Sequence, residues 1–174
     1  MYFPTLSASG FVLVRTRLWT LKPECGQERM RSAHSGLNSS FKDMKIETLP
    51  HCFVHGDIIK TNLIKDSKGK LLIIDFAVSN YYPRIQELAV LACNVLFDDK
   101  DKLVSEKNLE IVLDEYQKTI KLTPEELKKL PDYIKLAHGM HVLSASYEKA
   151  FKNNCSREND YWLEQGRAGL KQMM

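Results

Sequence analysis

The chain has 174 residues, 44% of them hydrophobic and 27% charged, with eight glycines and six prolines, a balance that fits one buried core and argues against a low-complexity class. Its 25 basic and 22 acidic side chains leave a formal charge of +3 and are spread through the sequence, so charge points to neither nucleic acid nor membrane as a partner. No apolar run approaches the roughly 20 residues of a membrane-spanning helix, and Cys25, Cys52, Cys93 and Cys155 stand far apart without a CxxC pair, which suits reduced thiols and a cytoplasmic location.

Residues 1–45 read as an atypical leader. FVLVRTRLW (11–19) has strand character, but ECGQERMRSAHSGLNSSFKD is polar, broken by Gly26 and Gly36, and without a sustained period. A domain is expected over 46–174. HCFVHGD forms a short apolar approach to a loop, and NLIKD and KLLIIDF read as two strands of a hairpin around Ser67-Lys68-Gly69. Pro83 is expected to open a helix, RIQELAVLACNVLF, with Ile85, Leu88, Leu91, Ala92 and Val95 on one side. SEKNLEIVLDEYQKTI repeats Leu109, Val112, Leu113 and Tyr116 at helical spacing. Thr123-Pro124-Glu125-Glu126 has the form of a capping box, and Pro131 is expected to end or kink the helix it starts. DYIKLAHGMHVLSASYEKAF then reads as a long buried helix despite Gly139, and SRENDYWLEQGRAGLKQMM as an amphipathic one with Trp162, Leu163 and Leu170 as apolar contacts. The class expected is α+β, mainly α, a small hairpin beside a helical bundle.

The chemistry concentrates in HGDIIKTN, residues 55–62. Asp57 supplies a carboxylate that can accept a hydroxyl proton, and Asn62 a carbonyl oxygen that can meet a cation. Asp75, at the end of KLLIID, adds a second hard oxygen. Few oxygen ligands of this kind suit Mg²⁺ completed by water and substrate phosphates. The bland alternative is a turn capped by Asp57 and a hairpin in which Asp75 caps another. His51 with His55, and His138 with His141, lack a third ligand or an HExxH arrangement, so packing or surface roles outweigh zinc binding. Tyr161 and Trp162 fit core anchors better than pocket walls.

HGDxxxxN followed by an apolar strand ending in IDF resembles the aminoglycoside phosphotransferase and choline kinase family, small-molecule relatives of the protein kinases. Gly56 stands where protein kinases carry the arginine of H-R-D, and Ala77 where they carry the glycine of D-F-G. PRIQELA resembles a following segment that usually ends in D-L-A, with Glu87 in place of the aspartate. KLTPEELKKLPDYIKLAHGMHVLSASY is similar to the helical tail of the type II homoserine kinase branch. The likeness covers about residues 47–173. It implies the helical C-lobe of a protein-kinase-like fold, whose hairpin bears the catalytic and metal-binding loops. It also implies Asp57 as catalytic base, Asn62 and Asp75 as metal ligands, His55 as a brace of the loop, and Lys60 as either a phosphate contact or a solvated side chain. Mg²⁺ and ATP are the implied cofactors. The implied substrate is a hydroxyl of a small molecule such as an aminoglycoside, an amino alcohol or a homoserine-like metabolite.

In that family a strand-rich lobe with a phosphate-gripping lysine, its glutamate partner and a loop over the phosphates precedes the helical lobe. Nothing before His55 reads as a glycine-rich loop between strands, and Arg15 or Lys22 is either a remnant of the gripping strand or part of an unrelated leader. The chain is therefore expected to be a C-lobe without most of its nucleotide-binding lobe. Besides an active kinase, two readings stay open: an inactive lobe that only binds, and an interaction module that self-associates through Cys52, Phe53, Ile73 and Ile74.

Overall fold

A computed structural model gives the structure of residues 45–174; the leader, with its strand reading at 11–19 and with Arg15 and Lys22, falls outside the described residues. The described chain divides into two compact units, one spanning Leu49–Ile134 and the other combining Lys135–Met174 with residues 45–48. The class is α+β, mainly α, as the sequence suggests.

In the first unit, β1 (His51–Val54) pairs antiparallel with β4 (Asn80–Pro83), with His51 opposite Pro83 and Val54 opposite Asn80. Between them, β2 (Leu63–Lys65) and β3 (Leu71–Ile73) form the expected hairpin, with Leu63 opposite Ile73. Asp66 closes its turn by accepting the N–H groups of Lys68 and Lys70, while Gly69 takes φ +83°, a conformation glycine adopts at little cost. The β1–β4 pair was not legible locally, because Asn80 and Pro83 both disfavour strands. Pro83 closes β4 rather than opening a helix, and at the last strand position its missing N–H is easily tolerated.

Helix α1 (Ile85–Leu91) continues into a π-turn over Ala92–Leu96. Its buried face includes Ile85, Leu88, Ala89, Val90, Ala92 and Cys93, wider than the predicted stripe, in which Leu91 and Val95 are only half-buried. Helix α2 (Lys102–Thr119) is capped by Asp101, whose side chain accepts the Leu103 N–H. Its stripe of Leu109, Val112, Leu113 and Tyr116 is half-buried throughout. Helix α3 (Pro124–Lys152) starts at the predicted capping box: the Thr123 hydroxyl accepts the Glu126 N–H at 3.2 Å, and Glu126 Oε2 accepts the Thr123 N–H at 2.8 Å. Pro131 does not end this helix. An interior proline costs about 3 kcal/mol, but Leu130, Tyr133 and Ile134 beside it are buried, and each such side chain contributes about 1.5–3 kcal/mol.

In the second unit, the rest of α3 accompanies α4 (Arg157–Gln172), capped by Ser156 through the Asn159 N–H. Asn159 is buried and donates to the carbonyls of Ala145 and Asn154. The two helices touch through glycines. A Cβ built on Gly169 would lie 2.1 Å from His138 Nδ1, and one on Gly166 2.7 Å from the His138 carbonyl. The His141 ring lies 4.8 Å from that of Trp162. Burial holds both imidazoles at a pKa of about 4, so they are neutral in the folded protein near pH 7. No helix among the described residues is long and apolar enough to cross a membrane.

Candidate active site

Strand β1 delivers the chain into His55-Gly56-Asp57, which leads through a 3₁₀ turn (Lys60–Asn62) into β2. Gly56 takes φ +80°, and a Cβ there would sit 3.4 Å from the Val78 carbonyl. The cost of a side chain is thus mainly conformational.

His55 is buried and ties the loop to the end of β3. Its Nε2 lies 2.9 Å from the Ile74 carbonyl, which must accept, so Nε2 carries the proton; Nδ1 then accepts the Asp57 N–H at 3.2 Å. The ring meets Phe76 edge-on at 4.6 Å, and the Ser79 hydroxyl donates to the His55 carbonyl. Asn62, also buried, donates from Nδ2 to the Asp57 carbonyl at 3.0 Å and to Asp57 Oδ2 at 3.2 Å. That commits the nitrogen side of its amide to Asp57 and leaves the oxygen as the atom that can meet a cation. Asp75 sits just past β3 in the left-handed region at φ +66°, exposed, with Oδ1 accepting the Ala77 N–H. Lys60 is exposed at the start of the 3₁₀ turn and is not drawn into this network.

Burial raises the Asp57 pKa above the ordinary carboxylate range, and the charges of Asp75 and Glu87 raise it further, while the Asn62 hydrogen bond and His55 work against them. A carboxylate lifted in this way is a stronger base when ionised. Asp57 is thus joined by hydrogen bonds to His55 and Asn62, and Asp75 lies within electrostatic reach of it.

One residue of the site was not recognised as such. Glu87, in the first turn of α1, accepts the backbone N–H of His55 and reaches the N–H of Gly56 at 3.3 and 3.4 Å with its two oxygens. Burial raises its pKa, and those two N–H donors partly offset the rise. In sequence Glu87 stood out only as a replacement for an aspartate; its position one turn into the helix after β4 was the available signal. Beside it, Arg84 donates to Glu126 from Nε and Nη2, each at 2.7 Å, and from Nη2 to the Lys121 carbonyl.

Among the described residues no three His, Cys, Asp or Glu side chains gather as a metal cage. His51 instead bonds the Leu49 carbonyl and stacks on Tyr81. Around the hairpin, Phe53, Leu71, Leu72, Ile73, Ile74 and Phe76 are exposed, and Cys52 is half-buried.

The chain matches the family described as a phosphotransferase enzyme family (APH) over residues 14–119, a stretch that includes the loop, the hairpin and α1 and reaches upstream of the motifs that carry the resemblance. It is also similar to a solved structure, the amicoumacin kinase hAmiN in complex with AMP-PNP, Ca²⁺ and Ami, with a TM-score of 0.64 and 20% identity over 88% of this chain. That alignment takes in 47% of the kinase, so the chain spans about half its length. At this identity the likeness is one of fold. No curated protein matches the chain significantly.

Proposed function

The chain belongs to the phosphotransferase enzyme family, and from that membership we propose that it acts in moving the terminal phosphoryl group of ATP to a hydroxyl of a small molecule. The observation that carries this reading is the coupling of Asp57 to Asn62. The amide nitrogen holds the carboxylate, its oxygen remains for a cation, and Asp75 stands close enough for its charge to raise the Asp57 pKa.

Two hard oxygens from Asn62 and Asp75, with no cage of protein ligands, fit an Mg²⁺ that takes its remaining ligands from water and phosphate. When bound there, the ion would neutralise phosphate charge during transfer. Asp57 orients the acceptor hydroxyl and receives its proton as the new O–P bond forms; the bond from the γ-phosphorus to the bridging oxygen breaks, and ADP leaves with that electron pair. His55 keeps the loop in register with β3, and on this reading the exposed Lys60 either contacts a phosphate or stays in solvent. Positioning supplies most of the rate in this chemistry, which gives the loop's many ties a purpose.

The test is ADP release by the purified chain with MgATP and a panel of aminoglycosides, amino alcohols and homoserine. Asp57→Asn should cost about 10²–10⁴-fold in turnover, and Asp75→Asn should weaken the Mg²⁺ dependence. No turnover on the panel, together with no Mg²⁺-dependent nucleotide binding by calorimetry, would sink this reading.

A second reading rests on the exposed apolar side chains of the hairpin, Leu71, Leu72, Ile73 and Ile74, which favour a non-catalytic lobe that associates through this face. A strictly monomeric species in sedimentation would count against it.

A further inference from the structure

We propose that Arg84 and Glu126 form a positioning pair for the Asp57 loop, setting the point from which both β1 and α1 reach His55 and Gly56. The inference rests on the reading of Asp57 as the base of phosphoryl transfer.

Arg84 is a junction of the backbone. Its N–H donates to the Pro50 carbonyl at 3.0 Å, one residue before β1, and its carbonyl accepts the Glu87 N–H at 3.2 Å, in the turn that opens α1. Strand β1 runs from there directly into His55, and Glu87 returns from α1 to take the N–H groups of His55 and Gly56. Two routes into the loop therefore start at one residue. A shift of Arg84 would be passed to the loop along both.

The side chain of Arg84 fixes that junction to a third point. Its guanidinium makes a two-pronged contact with Glu126 and a further bond to the Lys121 carbonyl. The Glu126 side chain is 0% exposed and that of Arg84 20%, and Glu126 is held again by the Thr123 N–H. Burying such a pair costs desolvation that a well-packed apolar pair would avoid, so its value lies in geometry more than in stability. A planar fork on a carboxylate fixes direction as well as distance, which lysine does not.

The prediction is read on backbone amides, without nucleotide or acceptor. In hydrogen-exchange experiments, Arg84→Ala should speed exchange at His55 and Gly56 by about tenfold relative to amides in the buried face of α1. Arg84→Lys should fall between Arg84→Ala and the wild type. If Arg84→Ala fails to fold, Glu126→Gln, which keeps shape but not charge, should show the same selective loss. Faster exchange confined to Thr123–Leu127, with His55 and Gly56 unchanged, would overturn the proposal by reducing the pair to a helix cap. A uniform rise across the core amides would overturn it too, as a mere loss of stability. If Asp57→Asn left turnover intact, the phosphotransferase reading would fail while these exchange results still stood on their own.

Discussion

The segment from His55 to Glu87 and the α3–α4 pair are held by opposite means. In the first, polar side chains grip backbone atoms: Glu87 on two N–H groups, His55 on the Ile74 carbonyl, Asn62 on Asp57. The chain there adopts left-handed conformations at Gly56 and Asp75, and apolar side chains of the hairpin lie in solvent. In the second, two helices approach until a single methyl group has no room at Gly169, and the histidines between them are neutral. One region selects residues by chemistry and backbone conformation, the other by space. Exposed apolar side chains gather around the hairpin, where the proposed chemistry is.

The comparison can be broken from either side. The largest effect is expected at Gly169→Ala, whose Cβ would overlap the His138 ring. A loss of about 3 kcal/mol in denaturant unfolding is expected, with partial rescue in the Gly169→Ala/His138→Ala double variant. An effect under about 0.5 kcal/mol would mean that the helices do not depend on that approach. Next comes Glu87→Ala, which strands two backbone donors and should cost about 2 kcal/mol; Glu87→Gln, which keeps an acceptor oxygen, should recover part of it. Gly56→Ala should cost about 1–2 kcal/mol through its positive φ alone, since Val78 leaves room for the methyl group. Equal stabilities for Gly56→Ala and the wild type would remove the conformational argument for glycine in the loop.

Effects of pH form a separate comparison, and they run in opposite directions. Asp57 and Glu87 have raised pKa values in the fold, so the folded state binds their protons more tightly, and their contribution to stability falls as pH rises through the carboxylate range. His138 and His141 are lowered from 6.5 to about 4. Their contribution is complete above 6.5 and is lost as pH falls towards 4, because the unfolded chain takes up the protons first. His141→Phe should therefore flatten the acid side of the stability curve between those values, and Asp57→Asn should gain stability at neutral pH while losing turnover. An unchanged acid-side slope in His141→Phe would show that burial does not control that histidine.

Local signals served the sequence reading well. The HGD loop, the hairpin around Gly69 and the Thr123–Glu126 box are each set by residues a few positions apart, and each appears where expected. The failures are non-local. Strand β4 forms only because β1 is there to pair with it. Pro131 stays inside α3 where several neighbours are buried, so the helix does not end there, although a proline read alone is expected to end or kink one. Glu87 earns its place through contacts to residues more than thirty positions earlier. Gly166 and Gly169 gave no signal of their own, because a glycine's value in close helix packing is visible only once the facing residue is known.

The left-handed backbone at Asp75 has a consequence for descent. Asparagine, aspartate and glycine accept that conformation more readily than other residues do. A copy of this gene that drifts to asparagine or glycine at this position would therefore keep its turn and its hairpin. The shape of the loop would then outlive its charge.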